Sequence, residues 1–207
     1  MKLFFDTEFT GLRKDTTLIS IGIVSEDGRR FYAEFVDYDH SQVTPWIKEN
    51  VIKHLRFWAP NHGEDYYYVA SRAEFNLPGN DLFSAWNLEM NGTREVIYES
   101  LDHWTSQFDS IQFVSDVSHY DFVLLIELIT NGGTALDLPD NISAVCHDLN
   151  MDIARHFHVS DREAFDMSRE QIMNELCGSE DIVTGDKHNS LYDAEVIRAI
   201  WKEIGNV

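Results

Sequence analysis

The stretch Lys2-Leu3-Phe4-Phe5-Asp6-Thr7-Glu8-Phe9-Thr10-Gly11-Leu12 decides how the rest of the chain is read. Lys2 to Phe5 is a short apolar run that reads as a buried strand. Side chains alternate along a strand, so Asp6 and Glu8 leave its end on one face. Two carboxylates so placed can share a hard cation, and ligands gather at strand ends in α/β folds. Acid-x-acid pairs also arise by chance in a chain with 36 Asp and Glu, so the pair needs company elsewhere before it marks a site.

Outward from this stretch, Leu18 to Val24 reads as a strand buried on both faces, with Ile19, Ile21 and Ile23 against Ser20, Gly22 and Val24. Asp27-Gly28 is a turn dipeptide, and Arg30 to Tyr38 resumes the alternation, so the chain opens with three strands, antiparallel at least in part. Thr44-Pro45 caps and starts a helix through Leu55. From Arg56 to Asn91, aromatic residues scatter among Pro and Gly, and we read an aromatic-rich loop elaboration over about 56–91. Thr93 to Phe108 is helical, Ile111 to Val117 a strand, and Ser118 to Thr130 a helix stopped by Asn131-Gly132-Gly133. Ala144 to Cys146 reads as a short strand, Ser160-Asp161-Arg162-Glu163 is a capping box, and the last helix runs from about Ser190 to Ile204. This order implies an α/β fold, a mixed β-sheet flanked by helices, in one domain over 1–207.

Sixteen Lys and Arg against 36 Asp and Glu give a net charge of −20. That argues against tight sequence-independent binding to long nucleic acid, although clustered carboxylates can hold cations that invert the local field. Apolar runs of at most about five residues are far short of a membrane span, and the N-terminus has no signal-peptide pattern, so we expect a soluble cytoplasmic protein without membrane contact. Cys146 and Cys177 lack metal spacing and read as buried small hydrophobes in a reducing compartment.

Two further segments carry the expected company. In Ser118-His119-Tyr120-Asp121, Ser118 reads as an N-cap and Asp121 falls in the first turn of an otherwise apolar helix. Asp121 is there either to complement the helix dipole or to meet a cation at the edge of the core. In His188-Asn189-Ser190-Leu191-Tyr192-Asp193-Ala194, residues five apart on a helix cannot share a face, so His188 and Asp193 converge only if His188 lies outside it. Ser190 as N-cap would leave His188 on the preceding loop, free to swing over whatever Asp193 binds. Taken singly, His188 reads more readily as a solvated loop histidine, one of nine histidines in the chain.

Together, Asp6, Glu8, Asp121, Asp193 and His188 are the parts that two-metal phosphodiester hydrolysis needs. With Asp6 to Leu12, Val114 to Asp121, and His188 with Asp193 in this order and spacing, the chain resembles the DEDDh 3′-to-5′ exonucleases of the ribonuclease H-like superfamily. Within them it is most similar to the small bacterial and phage-type exoribonucleases. The resemblance covers Lys2 to about Ile204. It implies two Mg²⁺ or Mn²⁺ ions on Asp6, Glu8, Asp121 and Asp193, with His188 taking the proton of the attacking water. It also implies a terminal nucleotide among Thr7, Phe9, Thr10 and Leu12, and 3′ ends of single-stranded RNA, or else DNA, as substrate. A homodimer follows by analogy. The chain departs from many relatives at Asp116-Val117, where they carry His-Asn, and at Phe9, where they carry Thr or Ser.

Arg13, Lys14, Lys187 and Arg198 are the expected phosphate contacts. Trp58, Trp86 and Tyr66 to Tyr68 offer stacking faces, though such aromatics more often serve a core or a dimer interface. Three rivals remain. A haloacid-dehalogenase-type phosphatase fits less well, because Glu8 is a methylene too long and Ser190 stands where a second Asp is needed after Gly185-Asp186. An aspartic protease fits less well still, because Asp6-Thr7 continues to Glu8 and not Gly. A non-catalytic module that kept the fold would not need His188 beside four acids.

Overall fold

The computed structural model describes residues 1–57 and 87–205. Three strands, β1 (Lys2–Phe9), β2 (Leu18–Ser25) and β3 (Arg30–Phe35), form an antiparallel meander. The Asp27-Gly28 turn between β2 and β3 places Gly28 at φ 94°, where a side chain would be strained. Helix α1 (Pro45–Asn50) begins as the sequence predicts, with the Thr44 hydroxyl accepting the Ile47 N–H. Then come β4 (Asn87–Gly92), α2 (Arg94–Thr105), β5 (Gln112–Ser115), α3 (His119–Ile129), β6 (His147–Asp148), α4 (Leu149–Phe157), α5 (Asp161–Asp166), α6 (Arg169–Leu176) and α7 (Ser190–Ile204). The sheet is mixed, in the order β4-β3-β2-β1-β5-β6. No helix among the described residues is long and apolar enough to cross a membrane.

Alternation on β1 divides the molecule into layers. Leu3 and Phe5 enter a core with α2 and α3 (Ile97, Leu101, Trp104, Leu125, Leu128). Phe4 enters the opposite core with α4, α6 and α7 (Ile153, Ile172, Ile197, Ile200, Trp201). Asp6 and Glu8 share the parity of Phe4 and so face α7, as the spacing predicts.

Three expectations over the described residues need correction. The strand expected at Ala144 to Cys146 forms at His147–Asp148, because β5 pairs there, while Val145 is exposed. The loop region expected up to Asn91 closes at Asn87, where β4 adds to β3 in parallel. Helix α4, between that strand and the capping box, was not anticipated. Cys177 is buried as expected, but Cys146 is only partly so. Trp58, Tyr66 to Tyr68 and Trp86 lie outside the described residues.

Candidate active site

Strand β1 outruns its parallel neighbour. Pairing with β5 covers only Lys2 to Phe4, so beyond it the backbone on that side of β1 has lost its ladder. A backbone N–H near the core needs an acceptor, and Asp121 supplies one. Its Oδ1 accepts the Thr7 N–H at 3.2 Å and the Thr7 hydroxyl at 2.5 Å. Asp121 thus faces β1 from the first turn of its own helix. Ser118 holds the cap position of α3 without a side-chain hydrogen bond, contrary to expectation.

On its other edge β1 stays in register with β2, Asp6 opposite Gly22 and Glu8 opposite Ser20, until a bulge after Glu8. Helix α7 presses its first turn against those two β2 residues. Ser20 and Ser190 share a buried hydrogen bond of 3.0 Å. The helix is capped by Asn189, whose Oδ1 accepts the Tyr192 N–H, and not by Ser190. His188 does lie outside the helix, but it is held rather than free to swing. Its φ is 65°, its N–H donates to Asp193 Oδ2 at 2.8 Å, and its Nδ1 lies 3.4 Å from Glu8 Oε1. The edge of Trp46 meets the imidazole at 5.4 Å. One ligand atom each from Glu8, His188 and Asp193 falls within 4.8 Å of the others.

Together with Asp6, Asp116 and Lys187, these residues line a cavity of about 270 Å³ whose far wall is Phe165, Met167, Val196 and Ile197. Its electrostatics are those of crowded acids. Burial holds the Asp6 carboxyl well above its ordinary range, and Asp193, Asp121, Glu8 and Asp116 push the same way. Burial lifts Asp193 to about 8, helped by Glu8, and Asp121 to about 6 against the Thr7 bonds. Glu8 is raised by burial and lowered by His188. The hydrogen bond to Glu8 raises the imidazole above its ordinary value, so it holds its proton more firmly than an isolated histidine. Among the described residues no Lys or Arg pairs with Asp6, Glu8, Asp121 or Asp193. Four half-buried carboxylates with no Lys or Arg partner, and only the His188 imidazole beside Glu8, form a hard oxygen donor set of the kind that takes divalent ions.

Other expected contacts divide. Leu12 is 78% exposed beyond the bulge, which excludes ordinary core packing. Phe9 stacks on Tyr120 at 5.8 Å. Thr7 and Thr10 are buried, and the Thr10 hydroxyl donates to Gln42 at 2.6 Å, so both order the loop from behind. Arg13 and Lys14 are exposed near Leu12 and Lys187 lines the cavity, but Arg198 donates to the Glu26 carbonyl at the opposite end of the sheet. The sequence reading missed Arg169. This side chain binds Asp116 at 2.9 Å, the carbonyls of Ala164 and Met167, and Asn150, tying the cavity wall to β5.

A family model of the 3'-5' exoribonuclease Rv2179c-like domain matches residues 1–205. The chain belongs to that family. The 3'-5' exoribonuclease Rv2179c of Mycobacterium tuberculosis (strain ATCC 25618 / H37Rv) is 40% identical over 55 residues, 27% of this chain and 33% of that protein. The 3'-5' exoribonuclease MT2234.1 of strain CDC 1551 / Oshkosh gives the same figures. The match spans about a third of the length of these curated relatives. Among solved structures, a full-length 3'-exonuclease aligns with TM-score 0.55 at 10% identity, covering 96% of this chain and 78% of that one. A 3'-exonuclease described in 3'-end specific recognition of a histone mRNA stem-loop aligns equally well, over 96% and 61%. At 10% identity these likenesses are of fold, a mixed sheet flanked by helices shared with those 3'-exonucleases.

Proposed function

We propose that this chain is a cytoplasmic, metal-dependent 3′-to-5′ exonuclease that shortens single-stranded nucleic acid, RNA before DNA. The convergence of Asp6, Glu8, Asp121, Asp193 and His188 carries the reading, since no structural need brings four half-buried acids without a Lys or Arg partner to one histidine. Membership of a 3'-5' exoribonuclease family favours RNA. The reading includes a homodimer, which sedimentation measures.

In this reading Asp6, Glu8, Asp121 and Asp193 hold two Mg²⁺ or Mn²⁺ ions, which supply charge neutralisation at the attacking and leaving oxygens. His188 takes the proton of the attacking water at an imidazole nitrogen, and its contact with Glu8 orients the ring. Thr7 keeps the Asp121 carboxylate aimed across β1. Leu12 and Phe9 border the terminal nucleotide, Leu12 as a wedge against the last bases and Phe9 as a face backed by Tyr120. Thr7 and Thr10 serve that subsite by fixing the loop. Arg13, Lys14 and Lys187 meet phosphates.

The test is cleavage of 5′-labelled single-stranded RNA and matched DNA in Mg²⁺, Mn²⁺ or EDTA, with Asp6→Ala as control. A metal-dependent ladder of 3′-shortened products, absent in the variant, is the expected result, with RNA cut faster. No shortening of either substrate under any metal would overturn it in favour of a binding module.

A further inference from the structure

The rows of side chains that carry Asp6 and Glu8 continue across the sheet. Gly22, opposite Asp6, pairs with Tyr32, and Ser20, opposite Glu8, pairs with Glu34. Glu34 is a carboxylate only 4% exposed. Its Oε1 accepts the Tyr32 hydroxyl at 2.6 Å and the N–H groups of Arg56 and Phe57 at 2.6 and 3.1 Å. The Tyr32 hydroxyl in turn accepts from Asn189 Nδ2 at 3.4 Å, and the same amide nitrogen donates to the His54 carbonyl at 3.0 Å.

A helix cap needs only an acceptor, which Ser, Thr or Asp supplies as well as Asn. The two amide protons of Asn189 exceed that need, and both are used to fix the residue to the sheet and to the end of the chain segment after α1. Next to it, His188 stands at φ 65°, a strained conformation for a non-glycine residue, kept only where neighbours over-determine it. The His188 N–H bond to Asp193 and the Asn189 N–H bond to the Asp186 carbonyl at 3.1 Å close the constraint on either side.

We propose that Asn189 is a positioning residue for His188 and Asp193, its amide donors locking the start of α7 against His54 and the Tyr32–Glu34 pair. The proposal rests on the exonuclease reading for its kinetic consequence. The imidazole approaches Glu8 only because the residue after it cannot shift, and a displacement of about 1 Å at a reacting group costs up to about a hundredfold in rate.

Asn189→Ser keeps a cap oxygen and deletes both amide donors. The expected result is a melting point near that of the wild type, with kcat on single-stranded RNA about tenfold or more lower and KM unchanged. The His188 ring signals in ¹⁵N NMR should broaden or split as the imidazole samples several positions. Tyr32→Phe, which removes one of the two anchors, should give a smaller loss in the same direction, and it decides the matter if Asn189→Ser fails to fold. Wild-type kcat in both variants, a change confined to KM, or an unchanged His188 signal would overturn the proposal. If the wild-type protein cuts nothing, the exonuclease reading fails, and the His188 signal alone decides the positioning role.

Discussion

The backbone nitrogen of Leu191 lies 2.3 Å from the point that a Cβ on Gly22 would occupy. This close approach of α7 to β2 brings Asp193 over the face that carries Asp6. Gly22→Ala must push the helix away, so it should cost about 1–3 kcal/mol of stability and a larger share of activity. Melting and turnover of the same preparation check this. A variant with wild-type turnover would show that the approach is not what assembles the site.

Without metal, the acid cluster should make the protein less stable as pH rises. Each carboxylate there has a folded pKa above its ordinary value, so its contribution is present at low pH and lost as pH climbs through the folded pKa. The window runs from the ordinary 3.8 through about 6 for Asp121 to about 8 for Asp193. His188, also raised, acts in the same direction. Melting in EDTA should therefore fall between pH 5 and 8.5, Asp193→Asn should flatten the upper part, and Mg²⁺ at pH 8 should restore stability. Stability that rises with pH in EDTA would contradict this.

Thr7→Val should separate the two faces of β1. It leaves the strand packing intact and removes the hydroxyl bond to Asp121, sparing the backbone bond. The Asp121 titration midpoint in EDTA should move above about 6, and turnover should drop about tenfold. Carboxyl ¹³C NMR and kinetics check the pair. An unmoved midpoint would mean that the hydroxyl does not hold the carboxylate.

Arg169→Ala strands Asp116 beside the other carboxylates and frees the α5–α6 connection from β5. The expected cost is about 2–4 kcal/mol, since an uncompensated acid remains in a half-buried place. Adding Asp116→Asn should recover part of it, and Arg169→Lys should recover little, because an ammonium cannot reach four partners as the planar fork does. Denaturant unfolding of the single and double variants measures the coupling, and strict additivity would deny it.

Much of the site is legible in sequence because it is periodic. The period of two puts Asp6 and Glu8 on one face, and 100° per residue forces His188 off the helix of Asp193. What stayed hidden is set by distant partners. Asn189 and Ser190 are both good cap formers, and the choice falls to Asn189 because Ser20 claims Ser190. Asn87–Gly92 has the composition of a loop and becomes a strand only because β3 offers an open edge. His147–Asp148 lacks any alternation and is strand only beside β5. Arg169 has no motif around it, and its four partners come from the residue after β5, from α4, from α5 and from the α5–α6 connection. Gly22, inside a largely apolar strand, was the one local sign of a close approach, and it was there to be read.

The arrangement also orders the assembly of the cluster. Asp6 stands on β1, whereas His188 and Asp193 belong to the loop before α7 and to α7 itself, which follow it in the chain. A nascent chain can therefore pair its opening strands and bury much of its apolar surface while still lacking the histidine and one of the four acids. The cluster is complete only when α7 has docked on β2 through Ser190 and Ser20, so partial folding leaves it unassembled.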